Sequence, residues 1–274
     1  MRLTIIAALA ATSLLTLSAC KQSMTSDNSA SGSAVGIDGT WKADLASVQL
    51  DQKPDQLLLN AGQFSCTTCT PPLSLAADGK FHAVTGRPYA DQISIKVDND
   101  HNVTRTSQKG GREMGQTKYS VSDDGKTLTV SFTDSSTPNA KPVTGDYTET
   151  RVGPAPAGAH AISGSWKLDK YNNVSDEGLT VTYKLDGDTL HMSSPAGQSY
   201  DAKLDGSDVP IKGDVGGTTA SVKKLADNSY QETDKRGGKT IAVATFNVGA
   251  DGKLAVVSED KLAGSTMKYT ADRQ

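Results

Sequence analysis

Residues 78 to 130 fall on residues 205 to 257, without a gap, when the chain is shifted by 127 positions. Asp78-Gly79 meets Asp205-Gly206, Gly86 meets Gly213, Ser94 meets Ser221, Lys96 meets Lys223, and Asp124-Gly125-Lys126 meets Asp251-Gly252-Lys253. The ends match at slightly different shifts. Gly39-Thr40-Trp41-Lys42 parallels Gly164-Ser165-Trp166-Lys167, and Tyr147 to Arg151 parallels Tyr269 to Arg273. Many shared positions are turn residues, so recurrent β-hairpins are the competing explanation; two copies of one domain is the better account. The boundaries that follow are a first copy over 37–151, a Pro-, Gly- and Ala-rich linker over 152–161, and a second copy over 162–274.

Within each copy apolar residues alternate with polar ones. Ile93, Ile95 and Val97 are separated by Ser94 and Lys96; Leu128, Val130 and Phe132 by Thr129 and Ser131; Leu179, Val181, Tyr183 and Leu185 by Thr180, Thr182 and Lys184. A period of two over such lengths predicts strands with one buried face. Asp-Gly pairs starting at Asp78, Asp124, Asp205 and Asp251, with Asp186-Gly187-Asp188, supply residues that tolerate positive φ in tight hairpins. The expected fold is all-β, two tandem antiparallel meanders. Closure of each into a barrel removes its two edge strands; a single larger sandwich or a pair of open sheets is the alternative.

Each copy opens with Gly-x-Trp and ends in Tyr-Thr-x-x-Arg, a pattern that resembles the calycins, which include lipocalins, fatty-acid-binding proteins and avidins. The resemblance implies a tryptophan across the closed barrel end, packed against an arginine of the last strand. Carried onto this chain, it implies Trp41 with Arg151 and Trp166 with Arg273. A guanidinium over an indole contributes about 0.5 to 2 kcal/mol. Barrels of this size are filled by side chains or hold one small ligand.

Residues 1–19 read as a secretory signal: Arg2 at the start, an apolar run from Leu3 to Leu17, and small residues at the exit. The run falls short of the roughly 20 residues of a membrane-spanning helix. Leu17-Ser18-Ala19-Cys20 resembles the bacterial lipobox, which implies cleavage before Cys20 and lipidation of its sulfur. Two or more acyl chains give stable anchoring where one does not. Lys21 in place of an aspartate after the cysteine suggests transfer to the outer membrane. Residues 20–36 are then the lipidated cysteine and a Ser- and Gly-rich flexible tether. The expected address is the bacterial cell envelope, with the membrane as partner through the anchor.

The whole chain is 36% hydrophobic and 22% charged, with a net charge of −3, which gives no bias toward nucleic acid and no basic patch for anionic lipid. Cys66-Thr67-Thr68-Cys69 occurs in the first copy only. In an oxidising envelope the two cysteines are expected to form a disulfide that steadies one hairpin. Pro71 biases Thr70 away from helical geometry, against a helix-borne redox motif, and Thr70 stands where a c-type haem site requires histidine. Zinc held with His82 would lack a full ligand set.

Catalytic signatures are otherwise missing. There is no Gly-x-Ser-x-Gly elbow, phosphate loop or His-Glu-x-x-His pair. Ser221-Val222-Lys223-Lys224 fits Ser-x-x-Lys formally, but on an alternating strand its serine and lysine are not neighbours as they would be on a helix. His82, His101, His160 and His191 are scattered, and the loop Thr133 to Pro142 reads as a solvated connector in preference to a docking loop. The expectation is a non-catalytic binding or structural module without cofactor or metal. The alternative is a carrier of a small hydrophobic ligand such as a fatty acid. An envelope assembly partner or a hydrolase is a lesser reading, and no protein partner is named by the sequence.

Overall fold

The computed structural model describes residues 36–274. The expected signal, the expected lipidation site Cys20 and the expected tether up to residue 35 lie outside the described residues.

The alternating segments are strands, except that Leu179 closes a one-turn helix before its strand begins at Thr180. The first copy carries β1 (Gly39–Ala43), β2 (Gln49–Asp51), β3 (Asp55–Asn60), β4 (Gln63–Cys66), β5 (Leu73–Ala76), β6 (Phe81–Ala83), β7 (Gln92–Asn99), β8 (Asn102–Lys109), β9 (Arg112–Val121), β10 (Thr127–Asp134) and β11 (Val143–Gly153). The second carries β12 (Gly164–Val174), β13 (Thr180–Asp186), β14 (Thr189–Ser193), β15 (Ser199–Lys203), β16 (Val209–Pro210), β17 (Thr218–Ala226), β18 (Ser229–Arg236), β19 (Lys239–Val248), β20 (Leu254–Asp260) and β21 (Ser265–Arg273). A one-turn helix, α1 (Asp176–Leu179), follows β12. The burial follows the pattern: β10 buries Leu128 and Val130, and β13 buries Val181 and Tyr183.

The strands form two antiparallel sheets, each curled into a nearly closed barrel. The first runs β5-β4-β3-β12-β11-β10-β9-β8-β7-β6, and the second β15-β14-β13-β1-β21-β20-β19-β18-β17-β16, with β2 laid on β21. The second closes through paired backbone bonds between Ser199 and Lys212, 2.8 and 3.2 Å long.

This order corrects the expected division of the chain. The opening strands of the two copies have changed places: β1 sits between β13 and β21 of the second barrel, and β12 sits between β11 and β3 of the first. The first barrel is therefore one contiguous stretch, 55–174, and the second is 180–273 completed by β1 and β2. The cause is local. The segment between β11 and β12 turns back as a hairpin loop, so β12 pairs with its neighbour in sequence along most of its length, from Gly145↔Val174 to Gly153↔Ser165. The place β12 leaves in the second barrel fits the homologous strand, β1. Only short segments, 52–54 and 175–179, cross between the barrels.

Trp166, Phe64, Ile95 and Leu128 are buried in the first barrel and Trp41, Tyr183, Tyr200 and Phe246 in the second, all within one hydrophobic cluster. Tyr89 joins the two barrels. It leaves the first barrel to donate its hydroxyl to Asp214 Oδ1 at 2.9 Å, and Arg236 donates to that hydroxyl at 2.7 Å while its guanidinium lies 5.2 Å from the ring. No helix among the described residues is long and apolar enough to cross a membrane.

Candidate functional site

The closed end of each barrel is built around the Gly-x-Trp strand. Trp166 and Trp41 are fully buried, and each indole N–H donates to the carbonyl four residues earlier, Ile162 and Ile37, at 2.8 Å. Arg151 lies 4.0 Å from the Trp166 ring centre and Arg273 lies 4.6 Å from that of Trp41. The residues are those expected but the partners are not: Trp41 pairs with Arg273, not Arg151, and Trp166 pairs with Arg151, not Arg273. The strand exchange is the reason, since each tryptophan travels with its strand to the other barrel's last strand. Each guanidinium also ties down the chain entering that strand. Arg151 donates to the carbonyls of Ser163 and Ala161 at 2.6 and 2.7 Å, and Arg273 to those of Asp38 and Gly36. The glycines have φ of +137° at Gly164 and +132° at Gly39, and a Cβ on Gly39 would stand 2.7 Å from Arg273 Nη1. Gly-x-Trp thus records the space that the arginine takes.

Inside the first barrel, one layer from Trp166, two carboxyls face each other. Glu149 on β11 is 1% exposed, and Asp55, opposite Trp166 at the start of β3, hydrogen-bonds to it. Burial, then the charge of Asp55, then the hydrogen bond Glu149 donates to that residue, push Glu149 up to about 8, so this side chain holds the shared proton at neutral pH. Asp55 is also raised, by burial, against the pull of its hydrogen bond from Thr68. Thr68 belongs to the Cys66–Cys69 loop. The disulfide is formed, with S–S 2.10 Å. The Thr68 hydroxyl donates to Asp55 Oδ1 at 3.1 Å and accepts from the Gln56 N–H at 3.0 Å, while Arg87 holds the far side of the loop through the carbonyls of Pro71 and Pro72.

The second barrel encloses a cavity of about 100 Å³. Trp41, Tyr183, Met192, Leu254 and Tyr269 line it with Glu232. Glu232 is 5% exposed, accepts from the Tyr200 hydroxyl at 2.6 Å, and is raised by burial. Part of the cavity's rim comes from the first barrel. Ser136, Thr137 and Lys141 of the β10–β11 loop line it beside Glu177 and Gly178 of α1, and Lys141 pairs with Glu177 at 3.4 Å. Ser136 is 5% exposed, and Arg112 holds the loop through the Ser135 and Ser136 carbonyls at 2.5 and 2.8 Å. The segment read as a solvated connector also forms part of the cavity's rim, because the exchange sets the two barrels side by side and the loop is long enough to reach its neighbour.

The histidines remain apart. His82 meets Asp78 at 2.8 Å, His191 meets Asp201 at 2.7 Å, His101 lies 3.1 Å from the Val121 carbonyl, and His160 lies 2.7 Å from that of Asn99. Ser221 is buried on β17, and Lys224 is exposed there with Asp227 as its partner. Among the described residues no group of three His, Cys, Asp or Glu side chains could hold a metal ion.

Asp55, Glu149 and Glu232 were missed by motif reading, yet a signal existed. Glu149 shares the inward parity of Tyr147 and Arg151, and Asp55 that of Leu57 and Leu59, so each is a charge written into an inward-facing position. No family model, curated protein or solved structure matches this chain.

Proposed function

We propose that the protein is a lipid-anchored lipoprotein of the bacterial cell envelope, outer membrane by its Lys21, whose two calycin-like barrels act as a binding or structural module in preference to a carrier of long hydrophobic ligands. The observation that supports this reading is the filled interior. The cavity of the second barrel, about 100 Å³, is well below the ~300 to 1,000 Å³ of sites that enclose drug-sized ligands. The first barrel's interior holds Phe64, Tyr119, Leu128, Tyr147 and Glu149. The tether before residue 36 leads directly into β1, so the anchor suspends the molecule from its second barrel.

The test has two arms. Mass spectrometry of natively purified protein, with fatty-acid and hydrophobic-dye titrations, is expected to find a bare protein that binds neither; a co-purifying acyl chain would favour the carrier. Metabolic labelling with palmitate is expected to mark the wild-type chain and not Cys20→Ala. An unlabelled wild-type chain would remove the anchor from the reading.

A further inference from the structure

The repeat supplies an internal control for the Cys66–Cys69 end of the first barrel. Superposing the registers of the two barrels puts Val181 in the place of Asp55, Ala271 in that of Glu149, and Met192 in that of Cys66. The corresponding loop, 193–199, has no cysteine. The barrel therefore folds without the disulfide and without a carboxyl pair at this position, where the two occur together in one copy and are replaced together in the other; the second barrel's own pair, Glu232 hydrogen-bonded to Asp234, lies on β18, at neither of these places.

They are also physically joined. The Thr68 hydroxyl lies 3.8 Å from Cys66 Sγ and 3.1 Å from Asp55 Oδ1, and Asp55 hydrogen-bonds to Glu149. The two sulfurs differ in kind. Cys66 is 2% exposed and its sulfur accepts the Cys69 N–H at 3.0 Å, whereas Cys69 is half-buried at the surface. A nucleophile from solution reaches Cys69, and the sulfur displaced is the one with a donor already aimed at it.

From this arrangement we propose that Cys66–Cys69 is an exchangeable disulfide, reduced by an external dithiol, with Cys69 the sulfur attacked and the Asp55–Glu149 pair the proton donor to Cys66. The co-reactant is a dithiol, free or carried by a protein. Its thiolate forms a bond to Cys69 Sγ, the Cys66–Cys69 bond breaks, and its electron pair leaves on Cys66. A thiolate buried in the barrel wall is costly, so Cys66 takes a proton from the carboxyl pair through Thr68. The second thiol of the co-reactant loses its proton to water and attacks its own sulfur of the mixed disulfide, releasing Cys69, which is protonated from solvent. The co-reactant has lost two electrons and two protons, the protein has gained two of each, and the pair recovers its proton from water.

The pair carries one proton at neutral pH because Glu149 is pushed up to about 8 by burial and by Asp55. The groups facing it are Arg105 from β8, Tyr119 from β9, Tyr147 from β11 and Tyr171 from β12, with Thr68 from the loop. Burial raises all three tyrosines, so they stay neutral while the pair titrates. The inference goes beyond the module reading and does not depend on the anchor.

Dithiothreitol is the probe. The oxidised full-length protein in detergent is mixed with it across pH 6 to 9, quenched with an alkylating agent, and the mass increase gives the rate per dithiothreitol thiolate. The expected rate is proportional to dithiothreitol concentration and falls as pH passes about 8. Glu149→Gln and Asp55→Val are each expected to slow it about 100-fold or more at pH 7, the scale of one proton transfer, and to flatten its pH dependence. Thr68→Val on the surface loop leaves the pair intact and is expected to show the same loss, which keeps the test open if a core variant fails to fold. A rate independent of dithiothreitol concentration, as when reduction waits on unfolding, would overturn the proposal. So would wild-type rates and pH profiles in folded variants.

Discussion

Glu149 keeps its proton in the folded barrel to about pH 8 and releases it near its ordinary 4.5 in the unfolded chain. Between those values the unfolded state binds fewer protons than the folded one. Its contribution to stability is therefore complete below about pH 4.5 and declines as pH rises toward 8, by up to about 1.4 kcal/mol per pH unit. Thermal melts of the wild type are expected to fall over this window, and Glu149→Gln, which cannot ionise, should flatten the fall and melt higher at pH 8. Equal slopes in the two proteins would count against the buried pair. Gly164 is a second residue-scale case. Its φ of +137° and the Arg151 guanidinium beside it leave no room for a Cβ, so Gly164→Ala is expected to cost about 1 to 3 kcal/mol in denaturant titrations, whereas Gly110→Ala, in an open turn with nothing near it, should cost less.

At the scale of elements, the exchange of β1 and β12 makes a prediction that self-contained copies would reverse. A double-mutant cycle on Trp41→Phe and Arg273→Ala should show a coupling of about 0.5 to 2 kcal/mol. The cycle on Trp41→Phe and Arg151→Ala should be additive, because these side chains sit in different barrels. The strands themselves were legible in the sequence, since alternation as at Leu128–Phe132 reports directly which face is buried. The partner of a strand is another matter. Gly39-Thr40-Trp41-Lys42 and Gly164-Ser165-Trp166-Lys167 are near-equivalent, so either fits either barrel. What decides between them is the length and path of the β11–β12 connection, which composition does not encode.

At the scale of the whole molecule, the two barrels are unequal in chain continuity. Residues 52–178 hold every strand of the first barrel, whereas 37–151, the unit the repeat suggests, lack β12. Expressed alone, 52–178 is expected to give dispersed amide resonances and a cooperative melt, and 37–151 to melt at lower temperature or aggregate. The reverse ranking would count against the exchanged topology. The loop 135–142 was read as a connector because its Ser, Thr and Pro composition suits water as well as a cavity rim. Its contacts are with residues such as Glu177 that are distant in sequence, where local pattern carries no information.

What this chain determined by sequence alone is what local sterics and side-chain parity control: the strands, their turns, two copies of one barrel, the residues of each closed end, and the closeness of Cys66 and Cys69 that lets them bond. Tertiary structure alone decided which copy of the opening strand completes which barrel, and so which arginine covers which tryptophan. It also set Glu149 against Asp55 and the first barrel's loop at the rim of the second barrel's cavity. Two repeats with interchangeable first strands offer two pairings of nearly equal local quality, and only closing the whole chain distinguishes them.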